Sequence, residues 1–296
     1  MIQPQALQKG DTIGIVAPAS PPNKERIQQA IPFFTKLGLQ VKLGKHMEKV
    51  YGYLAGTDEE RLADFHDMIA DDEVKGIVFA CGGYGTGRIA SDINYELIRK
   101  NPKIIWGYSD ITYLHTAIRQ QCDLITFHGP MPSSDIATDD FDDISAASFL
   151  QLFRPTQRQY DESIFPLNVL VDGEASGNLV GGNLSLLVST LGTPFEIDTK
   201  GKILFIEDIH EEPYRVDSMM NQLKLSGKLE QAEPKRKPSL SMDEVFRHYC
   251  GSLSIPVMSG FKIGHCFPHF SIPLGAQASL STYNKTLSIS PGVKVI

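Results

Sequence analysis

Through its first half the chain alternates short apolar runs with longer amphipathic stretches, and this alternation restricts the fold more than any other feature. Thr12 to Ala17 is apolar apart from Thr12, interrupted only by Gly14, and ends in the turn signal Pro18-Ala19-Ser20-Pro21-Pro22. Ile27, Ile31 and Phe34 then recur at helical spacing, with Pro32 expected to bend that helix or end its first part. Leu39 to Leu43 reads as a short strand. Thr57-Asp58-Glu59-Glu60 has the form of a capping box, and Leu62, Phe65 and Ile69 mark one face of a helix to about Ala70. Lys75 to Ala80 is a buried-type strand running into Cys81-Gly82-Gly83-Tyr84-Gly85-Thr86-Gly87. Lys103 to Gly107 is another, delivering Tyr108-Ser109-Asp110 to a helix that continues towards Arg119. Strands and helices in this order predict an α/β fold with a mostly parallel sheet covered on both faces. Active sites of such sheets collect at the carboxyl ends of the strands.

The pattern changes after Leu152. Phe153 to Glu174 holds two prolines and many polar residues without a helical stripe. The expected division is therefore an N-terminal domain over 1–153, a linker over 154–174 and a second domain over 175–296. In the latter we expect a Gly-rich turn at Gly177 to Gly182, a helix from Asn183 to Leu191, a strand from Lys202 to Ile206 and a helix from Glu212 to Leu225. Lys228 to Ser241 is charged, Pro-containing and irregular. Short strands at Leu274 to Leu280 and Thr286 to Ser290, around a turn at Tyr283-Asn284-Lys285, make this domain smaller and β-rich, of α+β type.

A length of 296 residues with 42% hydrophobic content suits one large core or two modest ones. The 28 basic and 35 acidic residues give no broad attraction to nucleic acid or anionic lipid. Cys81, Cys122, Cys250 and Cys266 follow no zinc-site spacing and are too sparse for a disulfide scaffold, so reduced thiols in a cytoplasmic protein are expected. The first residues lack the features of a secretory signal, and no apolar stretch approaches the ~18 residues of a membrane span.

Two glycine-bearing turns carry the chemistry. Ser109, at a strand-to-helix turn, has the setting of a nucleophile lifted out of the backbone, with the first helical amides facing any negative charge beside it. Ile111 stands where the usual elbow has its second glycine, and an ordinary helix N-cap is the alternative. Gly82-Gly83-Tyr84-Gly85 would let successive amides converge on one oxygen, as an oxyanion requires. A plain tight turn is the alternative, and a phosphate cradle lacks its Lys and Ser/Thr.

A serine hydroxyl needs a base within about 3 Å and an acid to orient that base. Of eight histidines, His46 and His66 read as surface residues, and His115 is too far round its helix to meet Ser109. His128 could line the cleft or bind substrate. His210, His248 and His269 lie in a Glu-rich turn, on a short helix and after a proline. His265, expected to end a strand beside Gly264, is the strongest candidate for the base. Glu207, at the end of an apolar strand, needs a partner for its carboxylate, with Asp208 competing for the role.

Taken together these stretches resemble the serine LD-carboxypeptidase family, which contains muropeptide carboxypeptidases and the related microcin C immunity proteins. The resemblance covers almost the whole chain. It rests on Gly82-Gly83-Tyr84-Gly85 with Arg88, Asn101-Pro102-Lys103 running into Gly107-Tyr108-Ser109-Asp110-Ile111-Thr112, His128-Gly129-Pro130-Met131, Gly181-Gly182-Asn183-Leu184-Ser185, Ile206-Glu207-Asp208, and Gly264-His265 followed by Ile272-Pro273-Leu274-Gly275. It implies a class I glutamine amidotransferase-like N-terminal domain and a triad of Ser109, Glu207 and His265. It further implies an oxyanion hole from the amides of Gly83 and Asp110, and a cytoplasmic homodimer needing no metal or cofactor. Gly82, Tyr84, Arg88 and His128 are the expected substrate-binding residues, Arg88 as a candidate for the terminal carboxylate. The typical reaction removes D-alanine from a murein tetrapeptide, a small peptide-like substrate. Two departures from the family pattern are Cys81 and Ser218, each where arginine is common.

The nearest competing expectation keeps the chemistry and changes the substrate to a peptidyl or aminoacyl nucleotide conjugate. That activity calls for aromatic side chains stacking on a base, and Lys228 to Ser241 contains none. A non-catalytic binding protein of the same architecture is a competitor from another class, and a nucleotide-dependent oxidoreductase a more distant one.

Overall fold

A computed structural model describes residues 1–229, 241–251 and 253–295. Most of the Lys228 to Ser241 stretch, expected to be irregular, therefore lies outside the described residues.

The first half builds the elements β1 (Thr12–Val16), α1 (Lys24–Lys36), β2 (Gln40–Leu43), α2 (Asp58–Ala70), β3 (Val74–Phe79), α3 (Thr86–Ile89), α4 (Tyr95–Lys100), β4 (Ile104–Gly107), α5 (Thr112–Cys122), β5 (Thr126–His128) and α6 (Asp143–Ala147). Strands β2, β1, β3, β4 and β5 lie side by side in that order, all parallel. The strand order reverses at β1, which places a crevice outside the carboxyl ends of β1 and β3. Successive residues of a strand face opposite sides of the sheet. Ile104 and Trp106 join the core cluster that includes Phe34 and Phe149, whereas Ile105 joins the one formed with Phe65, Ile69, Leu114 and Ile118. Both faces are thereby covered, and each strand end is left to carry function.

Local chemistry explains the helices. Thr57 and Glu60 form the capping box that starts α2. At its other end the buried Lys103 of the Asn-Pro-Lys stretch donates from Nζ to the carbonyls of Met68, at 2.9 Å, and Asp71, tying α2 to β4. Pro32 does not end α1, which runs unbroken around it. Proline removes one backbone donor there, and the burial of Ile27, Ala30 and Phe34 on both sides of it outweighs that loss.

The second half contains β6 (Arg158–Tyr160), β7 (Asn168–Val171), β8 (Glu174–Asn183), α7 (Leu184–Ser189), β9 (Lys202–Glu207), α8 (Pro213–Leu225), α9 (Met242–Cys250), β10 (Val257–Ser259), β11 (Ile272–Leu274), β12 (Gln277–Ser281) and β13 (Thr286–Ile289). A five-stranded sheet runs β6-β13-β12-β8-β9, and β7 pairs with β10. Two expectations change here. Gly177 to Gly182 is not a turn but the interior of β8, and the stretch 154–174 contributes two paired strands, β6 and β7.

Leu274 to Leu280 is likewise two strands rather than one, separated at Gly275, which takes φ +92°. The first of them, β11, pairs antiparallel with β5 and completes the N-terminal sheet as its sixth strand. The two parts also meet where β8 crosses the start of α5. A Cβ on Gly182 would lie 2.5 Å from Thr112 Oγ1, and that oxygen accepts the Asn183 amide at 2.9 Å. Asn183 is in register with Glu207 on β9. This close glycine approach therefore brings the end of β9 up to the turn that carries Ser109.

Candidate active site

Ser109 follows β4 at a sharp reversal. Tyr108 is extended, and Ser109 itself takes φ +63°, a left-handed conformation strained for a non-glycine residue, before a 3₁₀ turn leads into α5. Buried Asp110 locks the turn. Its carboxylate accepts the Thr86 amide at 2.9 Å, and its carbonyl accepts the Thr86 hydroxyl at 2.6 Å. Burial raises the Asp110 pKa, with the bonds from Thr86 acting in the opposite direction.

The glycine loop after β3 reaches the same point. A Cβ on Gly82 would stand 2.9 Å from Ser109 Cβ, 3.0 Å from its Oγ and 3.4 Å from the Asp110 amide, so only glycine leaves room above the serine. Gly83 is exposed and left-handed at φ +107°. No acceptor among the described residues takes the Gly83 or Asp110 amide, and both remain able to donate.

Ser20, after β1, holds this loop. Its amide donates to Gly82 O at 3.2 Å, its Oγ accepts the Tyr84 amide at 3.2 Å, and a Cβ on Gly83 would collide with it. Arg61, buried at 1% exposure on α2, donates to Gly85 O at 2.9 Å and to Pro18 O, and pairs with Asp58. Cys81 closes the arrangement by donating to Ser20 O at 3.2 Å, and burial pushes its thiol up to about 12.

His265 arrives from the C-terminal part. It lies in an irregular segment after β10 rather than at a strand end. His265 Nε2 is 2.9 Å from Ser109 Oγ and its Nδ1 is 2.7 Å from Glu207 Oε2. Since a carboxylate only accepts, the Nδ1 contact assigns the ring proton to Nδ1 and leaves Nε2 to accept from the serine hydroxyl, and Glu207 Oε2 also accepts the His265 amide at 3.3 Å. Gly264, at φ +102°, makes the approach possible, since a Cβ there would fall 2.5 Å from Glu207 Oε2. Burial disfavours the imidazolium. The hydrogen bond and charge of Glu207, aided by Asp135 and Asp208, outweigh it and hold His265 above its ordinary value.

Asp208 is excluded from the orienting role by its own contacts. Its oxygens accept from Asn183 Nδ2 at 2.9 Å and from the amide of Ser185 at 2.9 Å. His128 does not line the cleft as expected. It is 0% exposed, enclosed by the rings of Tyr108, Phe205 and His269. Arg88 is engaged by Asp58 through Nε at 3.1 Å and Nη2 at 2.8 Å, so its fork already has a carboxylate. Tyr84 is 53% exposed, with its ring against Tyr53 at 5.5 Å.

The remaining histidines stand apart from the serine. His46 pairs with Asp64 at 2.8 Å, and His66 accepts the Asn94 amide at 3.0 Å. Buried His115 meets Gly107 O at 2.7 Å and is depressed by burial to about 4.

Models of the LD-carboxypeptidase N-terminal and C-terminal domains match residues 13–129 and 176–280. The chain belongs to the LD-carboxypeptidase family. Among its relatives is the probable murein peptide carboxypeptidase of Bacillus subtilis, 56% identical over 98% of this chain and 95% of that protein. Solved structures of the family share the fold. A structure of the microcin self-immunity protein MccF in complex with glutamyl sulfamoyl guanosine superposes with TM-score 0.86 at 27% identity, covering 98% of both chains. The muramoyltetrapeptide carboxypeptidase from Oxalobacter formigenes gives TM-score 0.83 at 28% identity, over 96% of this chain and 100% of that one.

Several residues of this family member's site left no signal in the sequence. Ser20 and Arg61 act through tertiary contacts across β1, α2 and the glycine loop, and nothing in their local spacing distinguishes them from a turn serine and a surface arginine. Among the described residues no group of His, Cys, Asp and Glu is arranged to hold a metal ion, and no helix is long and apolar enough to cross a membrane.

Proposed function

We propose that the protein is a serine LD-carboxypeptidase that releases the terminal D-alanine of murein tetrapeptides, with Ser109 as nucleophile, His265 as general base and acid, and Glu207 orienting the imidazole. The observation that carries the proposal is the unbroken chain of contacts from Ser109 Oγ through the imidazole to Glu207, two side chains that lie 156 and 58 residues from His265 in the sequence. The 56% identity to a probable murein peptide carboxypeptidase supports the substrate class.

In the proposed cycle the Ser109 hydroxyl passes its proton to His265 Nε2 as Oγ attacks the scissile carbonyl. The resulting oxyanion lies between the Gly83 and Asp110 amides, beside the space that Gly82 leaves open. His265 then protonates the departing amine of D-alanine, leaving the rest of the peptide as an ester on Ser109. Water, deprotonated by the same imidazole, attacks that ester and restores the serine. One oxyanion donor in such a site is worth roughly 3 kcal/mol of barrier, so the loop and the triad matter on a similar scale. The proposal includes the cytoplasmic homodimer that the family resemblance implies, and a role in cell-wall recycling.

Incubation with murein tetrapeptide is expected to release free D-alanine, and Ser109→Ala to abolish release while leaving the circular dichroism spectrum intact. Turnover of an aminoacyl sulfamoyl adenosine with none of the tetrapeptide would replace the substrate assignment. Undiminished release by the alanine variant would remove the nucleophile.

A further inference from the structure

Behind the His265 ring lies a second polar pair that the triad chemistry leaves unused. Tyr108, which precedes the nucleophile, is 5% exposed, and its ring packs on the His265 imidazole at a centroid distance of 4.8 Å and an interplanar angle of 57°. Its hydroxyl donates to Asp135 Oδ1 at 2.8 Å, and Asp135 Oδ2 accepts the Met131 amide at 2.7 Å. Both carboxylate oxygens thus accept: burial raises the Asp135 pKa, and the bonds from Met131 and Tyr108 act in the opposite direction, in favour of the anion. Asp135 sits in a single π-turn, Pro132–Ile136, in which the Ile136 amide reaches Met131 O at 3.1 Å. Isolated π-turns recur at functional sites. Burying a carboxylate to bond a phenol costs desolvation that a phenylalanine over a leucine would avoid, so packing alone does not account for the pair.

We propose, building on the serine-hydrolase assignment above, that Tyr108 and Asp135 are positioning residues for the general base. The tyrosine ring keeps the imidazole in line between Glu207 and Ser109, while the Asp135 carboxylate fixes that ring and favours the imidazolium formed when His265 takes the serine proton. An aromatic face beside a developing cation acts in the same direction.

The surroundings of His265 reinforce the effect. Glu207 and Asp208 face it from the end of β9, Asp135 from the π-turn, His128 from β5, and Cys266 and His269 from its own segment. Burial drives His128 well below its ordinary value, takes His269 down to about 3 and pushes the Cys266 thiol up to about 11. All three are neutral at working pH. The charges that His265 senses from these groups are therefore carboxylates.

The test compares Asp135→Asn and Tyr108→Phe with the parent and with Ser109→Ala, scoring D-alanine release across pH. The His265 pKa is followed by NMR in a Ser109→Ala background, where it is read without turnover. For D135N the acidic limb of kcat/KM and the His265 pKa are expected to fall together by about half a pH unit, a roughly 3-fold change in proton affinity. Its kcat should drop about 10-fold with little change in KM, and Y108F should lower kcat several-fold. If D135N does not fold, Y108F carries the test, since it keeps the ring and loses only the bond to Asp135. An unchanged pH limb and His265 pKa in D135N, or an unchanged kcat in Y108F where only that variant folds, overturns the inference if Ser109→Ala is inactive. Activity retained by Ser109→Ala would instead overturn the nucleophile assignment on which it rests.

Discussion

Replacing Gly82 by alanine adds a single methyl group at the most sensitive point of the proposed site. Gly82 does not occupy the left-handed region, so alanine meets no backbone penalty there. The strain comes from what the methyl touches. Its carbon would stand 2.9 Å from Ser109 Cβ and 3.0 Å from Oγ, against about 3.5–4.0 Å for an ordinary carbon contact. Relieving an overlap of ~0.6–1 Å requires either a rotation of the serine away from His265 or a shift of the glycine loop away from the Asp110 amide. A misplacement of that size costs on the order of 10²-fold in rate, and loss of an oxyanion donor costs about 10²–10³-fold. We therefore expect kcat for D-alanine release to fall about 10²–10³-fold. Overpacking of about 1–2 kcal/mol would lower Tm by only a few degrees in a chain of this size. Turnover of murein tetrapeptide, with thermal unfolding measured on the same preparation, separates the two effects. A Gly82→Ala enzyme within about 3-fold of the parent kcat would show that the space above Ser109 is not where the oxyanion forms.

Two further substitutions probe the link between the lobes. Glu207→Gln removes the main anion that holds His265 above its ordinary value, leaving burial opposed only by the smaller pulls of Asp135 and Asp208. Because the base must be neutral to work, the parent's kcat/KM should rise with pH through a pKa above 6.5, and the variant's limb should move below it, with kcat reduced roughly 10³-fold. A limb that stays in place under a full pH titration would show that another group sets it. Gly264→Ala puts a methyl 2.5 Å from Glu207 Oε2 at a residue with φ +102°, so it should break the His265–Glu207 bond and lower kcat at least about 10²-fold. Wild-type turnover in that variant would mean the carboxylate has freedom that the present geometry excludes.

Much of the N-terminal architecture was legible because its signals are local. Apolar runs ending in glycine mark β3 and β4, and Thr57 with Glu60 announces α2. The order of the family motifs brought Ser109, Glu207 and His265 into one expectation, and the fold sets them in hydrogen-bonding contact. Errors arose where a residue's role is set by a distant neighbour. Gly181 and Gly182 looked like a turn, yet they lie in β8, where a side chain at either would strike Phe205 O or Thr112. His128 ends a strand as expected but is enclosed by the rings of Phe205 and His269, which come from distant segments and leave no local mark. Arg61 and Asp135 had no visible role for the same reason, since each acts on a loop it does not adjoin in sequence.

The central claim is that one serine is activated by a histidine contributed from the other part of the chain. Treatment with a fluorophosphonate probe, followed by peptide mass spectrometry, examines it without assuming a substrate. A single covalent adduct on Ser109, formed at a rate that collapses in a folded His265→Ala variant, is the expected result. Labelling at another residue, or Ser109 labelling at an undiminished rate once the imidazole is gone, would contradict the account.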